Sequence, residues 1–539
     1  MRSRLIAVAA VACLAAAVLY AAGARAPKGK DAAQAVDHAG GHRDAVARIA
    51  RGNAGAAIAA MTAVLEAHPN DAETLYVLAC AHAAKKDVDK AMDCASKAVA
   101  AGLPVERFIA GPRDLLGPLL ESAAFREFAR GRAGLLVHGP LLGSMTDTSV
   151  RFWVRTAAEA AVKVVVAAPA PADLALPVRS AEVRTSAAAD YTAVAAVGGL
   201  RPDTAYCYEV LVDGQRAAAL APFRTFPKAG APAKFQVAFG GGANFVPANE
   251  RMWDVILRRE PAALLMLGDN VYIDWPEVAA AQRYCYYRRQ SRPEHRRLAA
   301  SVPVFSIYDD HDFGDNDCIP GPDIEKPAWK RAAWGVFCEN WVNPSYGGGR
   351  EQPGCWYNFS IGDVDFFMLD CRFYRNPAGK PPSMLGPVQK RLFLDALGRS
   401  KGRFRVLASS VPWASGTKPG SRDTWDGFPE EREEIFRFAE SGGIGGLVLI
   451  SADRHRSDVW KVPRPGYDLY EFESSKLTNL HTHGKVPGAM FSYNEKCSAG
   501  WLEFDTAAAD PSVTYRIISI DDELIHTFAV KRSQLGPAK

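Results

Sequence analysis

The sequence predicts an α/β layered domain over residues 233–531, preceded by an all-β sandwich over 135–227 and an α-helical segment over 44–132. Three observations carry this division. Four apolar runs in the last part each end in a polar cluster. Run 264–267 ends in Gly268-Asp269-Asn270-Val271-Tyr272, and run 304–307 in Tyr308-Asp309-Asp310-His311-Asp312. Run 366–369 ends in Asp370-Cys371-Arg372-Phe373-Tyr374-Arg375, and run 447–450 in Ser451-Ala452-Asp453-Arg454-His455. Short apolar runs so bounded read as strands buried on both faces, and ligands collect outside the carboxyl ends of such strands. Ahead of them the pattern is period-two alternation, and ahead of that the spacing is helical.

The chain opens with Met1-Arg2-Ser3-Arg4, an apolar stretch from Leu5 to Ala22, and Ala24-Arg25-Ala26 with small residues where a cleavage site needs them. Residues 1–26 therefore read as a secretory signal, which predicts an exported, periplasmic or extracellular protein. A retained membrane anchor is the alternative, because the stretch approaches the ~18 residues of a span. Cys13 lies inside the stretch, which argues against a lipoprotein. The ten cysteines include no C-x-x-C pair, so zinc clusters are not expected. A net charge of +4 without a block of like charge gives no nucleic-acid surface. Residues 27–43, rich in Ala, Gly and Lys, read as a linker.

In the helical segment, Leu75, Leu78, Ala79, His82, Asp87, Ala91, Ala95 and Ala98 occupy the small and apolar positions of a tetratricopeptide helix pair, which 72–102 resembles. Stretch 52–69 resembles the second helix of another repeat, and 114–130 a terminal pair. Such repeats offer a groove to a partner peptide; a plain helical bundle is the alternative. In the β segment, Val150 to Arg155 alternates as a half-buried strand does, 162–166 gives a second strand, and Asp213-Gly214 marks a hairpin turn. Leu200, Pro202, Thr204, Tyr206 and Tyr208 form a run that resembles fibronectin type III sandwiches. Residues 222–232 read as a hinge. Strands follow at 235–239, 264–267, 304–307, 364–369, 405–411 and 447–450, with helices at 248–259, 282–300 and 387–397.

The polar clusters carry the chemistry. Asp269, directly after a strand, can bridge two metal ions. Tyr272 is close enough to bind the same ion, and a phenol of pKa about 10 becomes a ligand to a strongly acidic ion such as trivalent iron. A turn aspartate with a packed tyrosine is the plainer reading. Asp309, Asp310 and Asp312 are too dense to be buried without a cation or other partners. His311 titrates near the working range and suits a proton donor. Asp315, Asn316 and Asp317 add oxygens suited to a harder ion such as calcium. Asp453 and His455 can reach neighbouring ions from one strand end, with Arg454 turned away or toward phosphate; a structural Asp–His pair is the alternative. Arg372 and Arg375 offer forks that match phosphate oxygens, although an Asp–Arg salt bridge accounts equally for one of them. His481 and His483 either line the pocket or are loop histidines. Together these groups imply a metal-dependent phosphoester hydrolase.

The motifs Gly-Asp-x-x-Tyr, Asp-Asp-His-Asp, Leu-Asp-x-Arg-x-Tyr-Arg and Asp-x-His stand in one order behind Gly139-Pro140-Leu141-Leu142-Gly143 and Trp153-Val154-Arg155-Thr156. From His138 to beyond Tyr515 the chain thereby resembles the alkaline phosphatase D (PhoD-like) family of calcineurin-like metallophosphatases. The resemblance implies a layered metallophosphatase sandwich that hydrolyses phosphate esters with an iron and calcium type centre of two or more ions. By motif, Asp269 would bridge the ions and Tyr272 would bind iron. Asp310 would hold the second ion, His311 would be the acid, Asp453 and His455 would complete the shell, and Arg372 and Arg375 would hold phosphate. The family places a Cys ligand where this chain has Gly242, so Asn244 or water would fill that position, or the metal differs. The Gly240-Gly241-Gly242 run also opens a route for phosphate to backbone N–H groups. A phospholipase-like or nucleotide diesterase is the runner-up. A tetratricopeptide scaffold whose phosphatase domain has lost activity is the reading from a different class.

Overall fold

The computed structural model describes residues 36, 38, 40–168, 177–217 and 221–536. The expected signal at 1–26 and most of the expected linker lie outside the described residues. The end of that linker is not a linker: a helix starts at Gly41. Helices then follow from Gly41–Ala50 to Ala123–Ala129. Their starts are set by side-chain caps. Asn53, Asp71, Asp87 and Ser122 each accept a hydrogen bond from a backbone N–H three residues on. Fully buried Ala79, Ala83, Ala91, Ala95 and Ala98 let the helices Ala72–Ala84 and Val88–Ala100 approach closely.

The β segment forms two small sheets. One joins Leu136–Gly143, Val150–Thr156 and Thr192–Val197; the other is built around Ala161–Ala167 and Ala205–Val212. Asp213 and Gly214, both at positive φ (47° and 78°), make the two-residue turn from Ala205–Val212 into Gln215–Arg216. The expected hinge at 222–232 starts inside strand Ala221–Arg224, which pairs with Ala205–Val212.

The remaining chain is two mixed sheets packed face to face. The six-stranded sheet runs Val304–Ile307, Ala263–Leu267, Lys234–Gly240, Ser498–Asp505, Ser512–Ser519, Leu524–Lys531. The seven-stranded sheet runs Tyr357–Ile361, Val364–Met368, Phe404–Ala408, Leu447–Ser451, Tyr467–Ser474, Ser457–Arg464, Phe491–Tyr493. Aromatic rings bridge the layers, with Phe404 5.6 Å from Phe504 and Phe472 4.6 Å from Tyr515. Strand alternation explains the continuous apolar runs. Phe366, Met368, Val406, Val448 and Ile450 face this inter-sheet core. Phe367, Leu407, Leu447 and Leu449 face a second core under helices Gly386–Arg399 and Pro429–Ser441.

The single helix expected at 282–300 is two, Ala279–Gln290 and Pro293–Ala299. Pro293 lacks the N–H a continuous helix needs and forces Arg292 into an extended conformation (φ −70°, ψ 127°). The first of these helices is the hub of the molecule. Arg288 donates to the His38 carbonyl at 2.9 Å, and Arg107 of the helical segment stacks between Tyr76 and Tyr284. On the same helix Gln290 accepts from Arg155 of the β segment at 2.6 Å. No helix among the described residues is long and apolar enough to cross a membrane, and no disulfide forms among them.

Candidate metal centre

The chain reverses sharply after strand Ala263–Leu267. Gly268 has φ +104°, and a β-carbon there would lie 2.5 Å from that of Asp309, so two strand ends meet only because residue 268 is glycine. Asp312 then ties the loops together: its carboxylate accepts from the backbone N–H groups of Asn270 (2.8 Å) and Val271 (2.9 Å). Asp370 does comparable work further along, accepting from the N–H groups of Arg372 and Phe373, both at 2.9 Å. These two carboxylates are framework, which leaves the others for chemistry.

The chemistry converges on one cavity of about 470 Å³. Asn244, Asp269, Tyr272, His311, Asp453 and His455 all line it. The Tyr272 hydroxyl donates to Asp269 Oδ2 at 2.8 Å and lies 2.8 Å from His455 Nε2. His455 Nε2 is 3.6 Å from Asp269 Oδ2, and the His311 ring stacks on Tyr272 at 4.6 Å. Asp269, Asp310 and His311 offer donor atoms within 4.8 Å of one another; so do Asp310, Asp317 and Asp423, and so do His455, His481 and His483. Asp453 lines the cavity without joining any of these groups. Asn244 also lines it, although its side-chain oxygen accepts from the Phe245 N–H at 2.8 Å.

The donor set suits metal ions. Asp269 Oδ1, Asp309 Oδ2 and His455 Nδ1 are buried without a hydrogen-bond partner, which is costly unless a cation takes the lone pair. Burial, helped by neighbouring carboxylates and only partly offset by Arg372, pushes Asp309 and Asp310 up to about 7. Burial also raises Asp269, but the His311 and His455 imidazoles with the Tyr272 hydroxyl outweigh it and hold Asp269 at about 2. Burial lowers His311; the carboxylates of Asp310, Asp269 and Asp274 reverse this and keep it protonated well above its ordinary range.

Two expectations need correction. Arg372 and Arg375, expected to hold phosphate, are 0% and 1% exposed and do not line the cavity. Arg372 binds Asp309 (2.5 Å) and Asp423 (2.7 Å), and Arg375 binds Asp423 and its carbonyl. Two carboxylates buried within reach satisfy these forks, so both arginines are internal counter-ions. The glycine run is also no anion cradle at Gly241, nor is Ala243 just beyond it. Their N–H groups donate to the carbonyls of Ser474 (3.0 Å) and Asp269 (2.8 Å). The guanidinium and ammonium side chains that do line the cavity are those of Arg43, Lys418 and Arg454.

Sequence reasoning missed Arg43, Asp274, Lys418, Asp423 and Asn479. Asn479 donates to the Tyr272 hydroxyl at 2.8 Å. Its neighbours His481 and His483, readable as loop histidines, line the cavity.

Residues 237–493 match the family model described as PhoD-like phosphatase. The chain carries a PhoD-like phosphatase domain. A second model, of a domain of unknown function (DUF7800), matches residues 133–230, the stretch of the β segment. Alkaline phosphatase D of Bacillus subtilis (strain 168) is 26% identical over 306 residues, 48% of this chain and 52% of that protein. The chain thus spans about half the length of this curated relative. The solved structure of PhoD superposes on 73% of this chain and 90% of its own, with TM-score 0.60 and 18% identity. A purple acid phosphatase from yellow lupin seeds covers 74% of this chain and 75% of its own, with TM-score 0.55 and 12% identity. Both share the layered fold around the PhoD-like domain.

Proposed function

We propose that the PhoD-like domain is a metal-dependent phosphoester hydrolase acting on phosphomonoesters or phosphodiesters. The observation that carries this reading is the meeting of Asp269, Tyr272, Asp310 and His455 from three strand ends, with Asp269 Oδ1 buried and unpartnered. Asp269, Tyr272, Asp310, Asp453 and His455 would hold two or more ions, with Asn244 a further oxygen donor at the wall. The phenol ligand favours iron for one ion, and carboxylate oxygens such as those of Asp310 suit a harder ion such as calcium for another, while the neighbouring Asp317 and Asp423 are already paired with Lys418, Arg372 and Arg375. When bound, such ions supply Lewis-acid polarisation of the phosphoryl group and a water nucleophile at neutral pH.

The chain's own residues do the rest. His311, stacked on Tyr272 and held protonated by its carboxylate neighbours, delivers a proton to the departing alkoxide. Arg454 lines the cavity and offsets the charge of the equatorial phosphoryl oxygens, while Lys418 in the same wall is already paired with Asp317 and Asp423. The sequence of residues 1–26 supports export as the setting for this activity.

The test is elemental analysis of the purified chain coupled to assays on p-nitrophenyl phosphate and bis-p-nitrophenyl phosphate, before and after chelation. Bound transition metal with chelator-sensitive hydrolysis is expected. A protein without metal and without hydrolysis after iron and calcium are restored would favour the scaffold reading instead.

A further inference from the structure

We propose that Arg43, on the helix Gly41–Ala50, is a positioning residue for His311. The inference deepens the function proposed above and rests on His311 being the proton donor.

Arg43 reaches the centre from a helix more than two hundred residues away in sequence. Its side chain is 11% exposed and lines the same cavity as Asp269 and His311. Nη1 donates to the Tyr272 carbonyl at 3.0 Å and to Asp274 Oδ2. The other oxygen of that carboxylate, Oδ1, bonds His311 Nδ1. Asp274 is therefore held at both ends, by a cation from the helical segment and by the imidazole it orients. The bond to Nδ1 selects the ring face and leaves Nε2 for the leaving group. Removing an outer partner that fixes a histidine this way typically costs about 10- to 100-fold in activity.

The backbone around Asp274 gives the carboxylate little other support. Asp274 sits at φ 52°, and its N–H makes only a long 3.4 Å contact to the His311 carbonyl. Arg43 is thus the second anchor of the carboxylate. It is not what docks the helix. Trp275 Nε1 donates to Asp44 at 2.9 Å, Arg51 pairs with Glu277 at 2.5 Å, and Arg288 bonds the His38 carbonyl at 2.9 Å. Removing Arg43 leaves those ties in place.

The experiment uses the full chain loaded with its metals, with p-nitrophenyl phosphate as the ester of a good leaving group and an alkyl phosphate as that of a poor one. His311→Ala sets the reference, since an absent proton donor slows the alkyl ester far more than the aryl ester. Arg43→Ala and Arg43→Gln are expected to lower kcat for the alkyl ester by about 10- to 100-fold. KM and the aryl rate should change much less. Added guanidinium or Arg43→Lys should recover part of the loss, which a merely structural defect would not allow. Arg51→Ala, which loosens the same helix away from the cavity, should leave both esters unaffected. Equal losses on the two esters, a change in KM alone, or no loss in either Arg43 variant would overturn the assignment. If His311→Ala itself slows both esters alike, the proton-donor reading fails first, and the role of Arg43 fails with it.

Discussion

Gly242 offers the sharpest test of the site's construction, because it stands where the family resemblance places a cysteine ligand. Its φ is +62°, and a β-carbon built there would lie 2.0 Å from the Ser475 carbonyl oxygen, 2.9 Å from its carbon and 3.2 Å from His455 Cδ2. A left-handed conformation costs a residue with a β-carbon roughly 1–2 kcal/mol. Forcing one methyl into a packed site adds typically about 1–3 kcal/mol. Gly242→Ala should therefore destabilise the PhoD-like domain by about 2–5 kcal/mol. Gly242→Cys carries the same β-carbon and the same cost, so restoring the thiol does not restore a ligand to this backbone. Guanidinium denaturation followed by tryptophan fluorescence measures the loss, and the absorption spectrum of the iron-loaded protein reports any thiolate-to-metal band. If Gly242→Cys denatures at the wild-type midpoint and gains such a band, the steric argument is wrong.

Asp269→Asn and His311→Ala should each lower turnover by about 10²–10⁴-fold, with circular dichroism unchanged; turnover close to wild type would refute the role assigned to that residue. Asp423→Ala should destabilise by about 3–5 kcal/mol, since it strips Arg372, Arg375 and Lys418 of the buried carboxylate they share; a denaturation midpoint that does not move would return the two arginines to the phosphate-binding role. Docking of the Gly41–Ala50 helix should depend on pH through His38 and Asp71, which are bonded at 2.5 Å. Burial raises Asp71, but its hydrogen bonds to His38 and His42 dominate and hold it well below the ordinary range. Burial likewise lowers His38 and is outweighed by Asp71. A depressed acid stabilises above its unfolded pKa and a raised base below its own, so protection of amides 41–50 should peak between about pH 4 and 6.5. Hydrogen-exchange protection factors that are flat across pH 3 to 9 would contradict this.

The strands that carry the site were legible because each is apolar on both faces and stops in ligand-type residues. The six strands after Leu447–Ser451 were not; among them Ser457–Arg464 and Tyr467–Ser474 bury Asp458, Glu471 and Glu473, which breaks the apolar run. Leu524–Lys531 is largely exposed and carries no buried stripe. Asp269, Tyr272 and His455 meet as their motifs suggested. Arg372 and Arg375 illustrate the limit of motif reading: a guanidinium fork fits a phosphate and a carboxylate equally well, and only folding reveals Asp309 and Asp423 beside them. Asp423 has no strand before it, and Arg43 lies far upstream on a helix whose surface gives no hint of its target. Long-range partners of this kind leave no spacing to read.

The shared grip of Arg372, Arg375 and Lys418 on Asp309, Asp423 and Asp317 has a consequence for how the acidic wall holds together. A pit of acidic side chains would ordinarily repel itself open before any mineral arrived. Here built-in positive charge offsets much of that repulsion, so the acidic wall owes part of its shape to the polypeptide's own ion pairs.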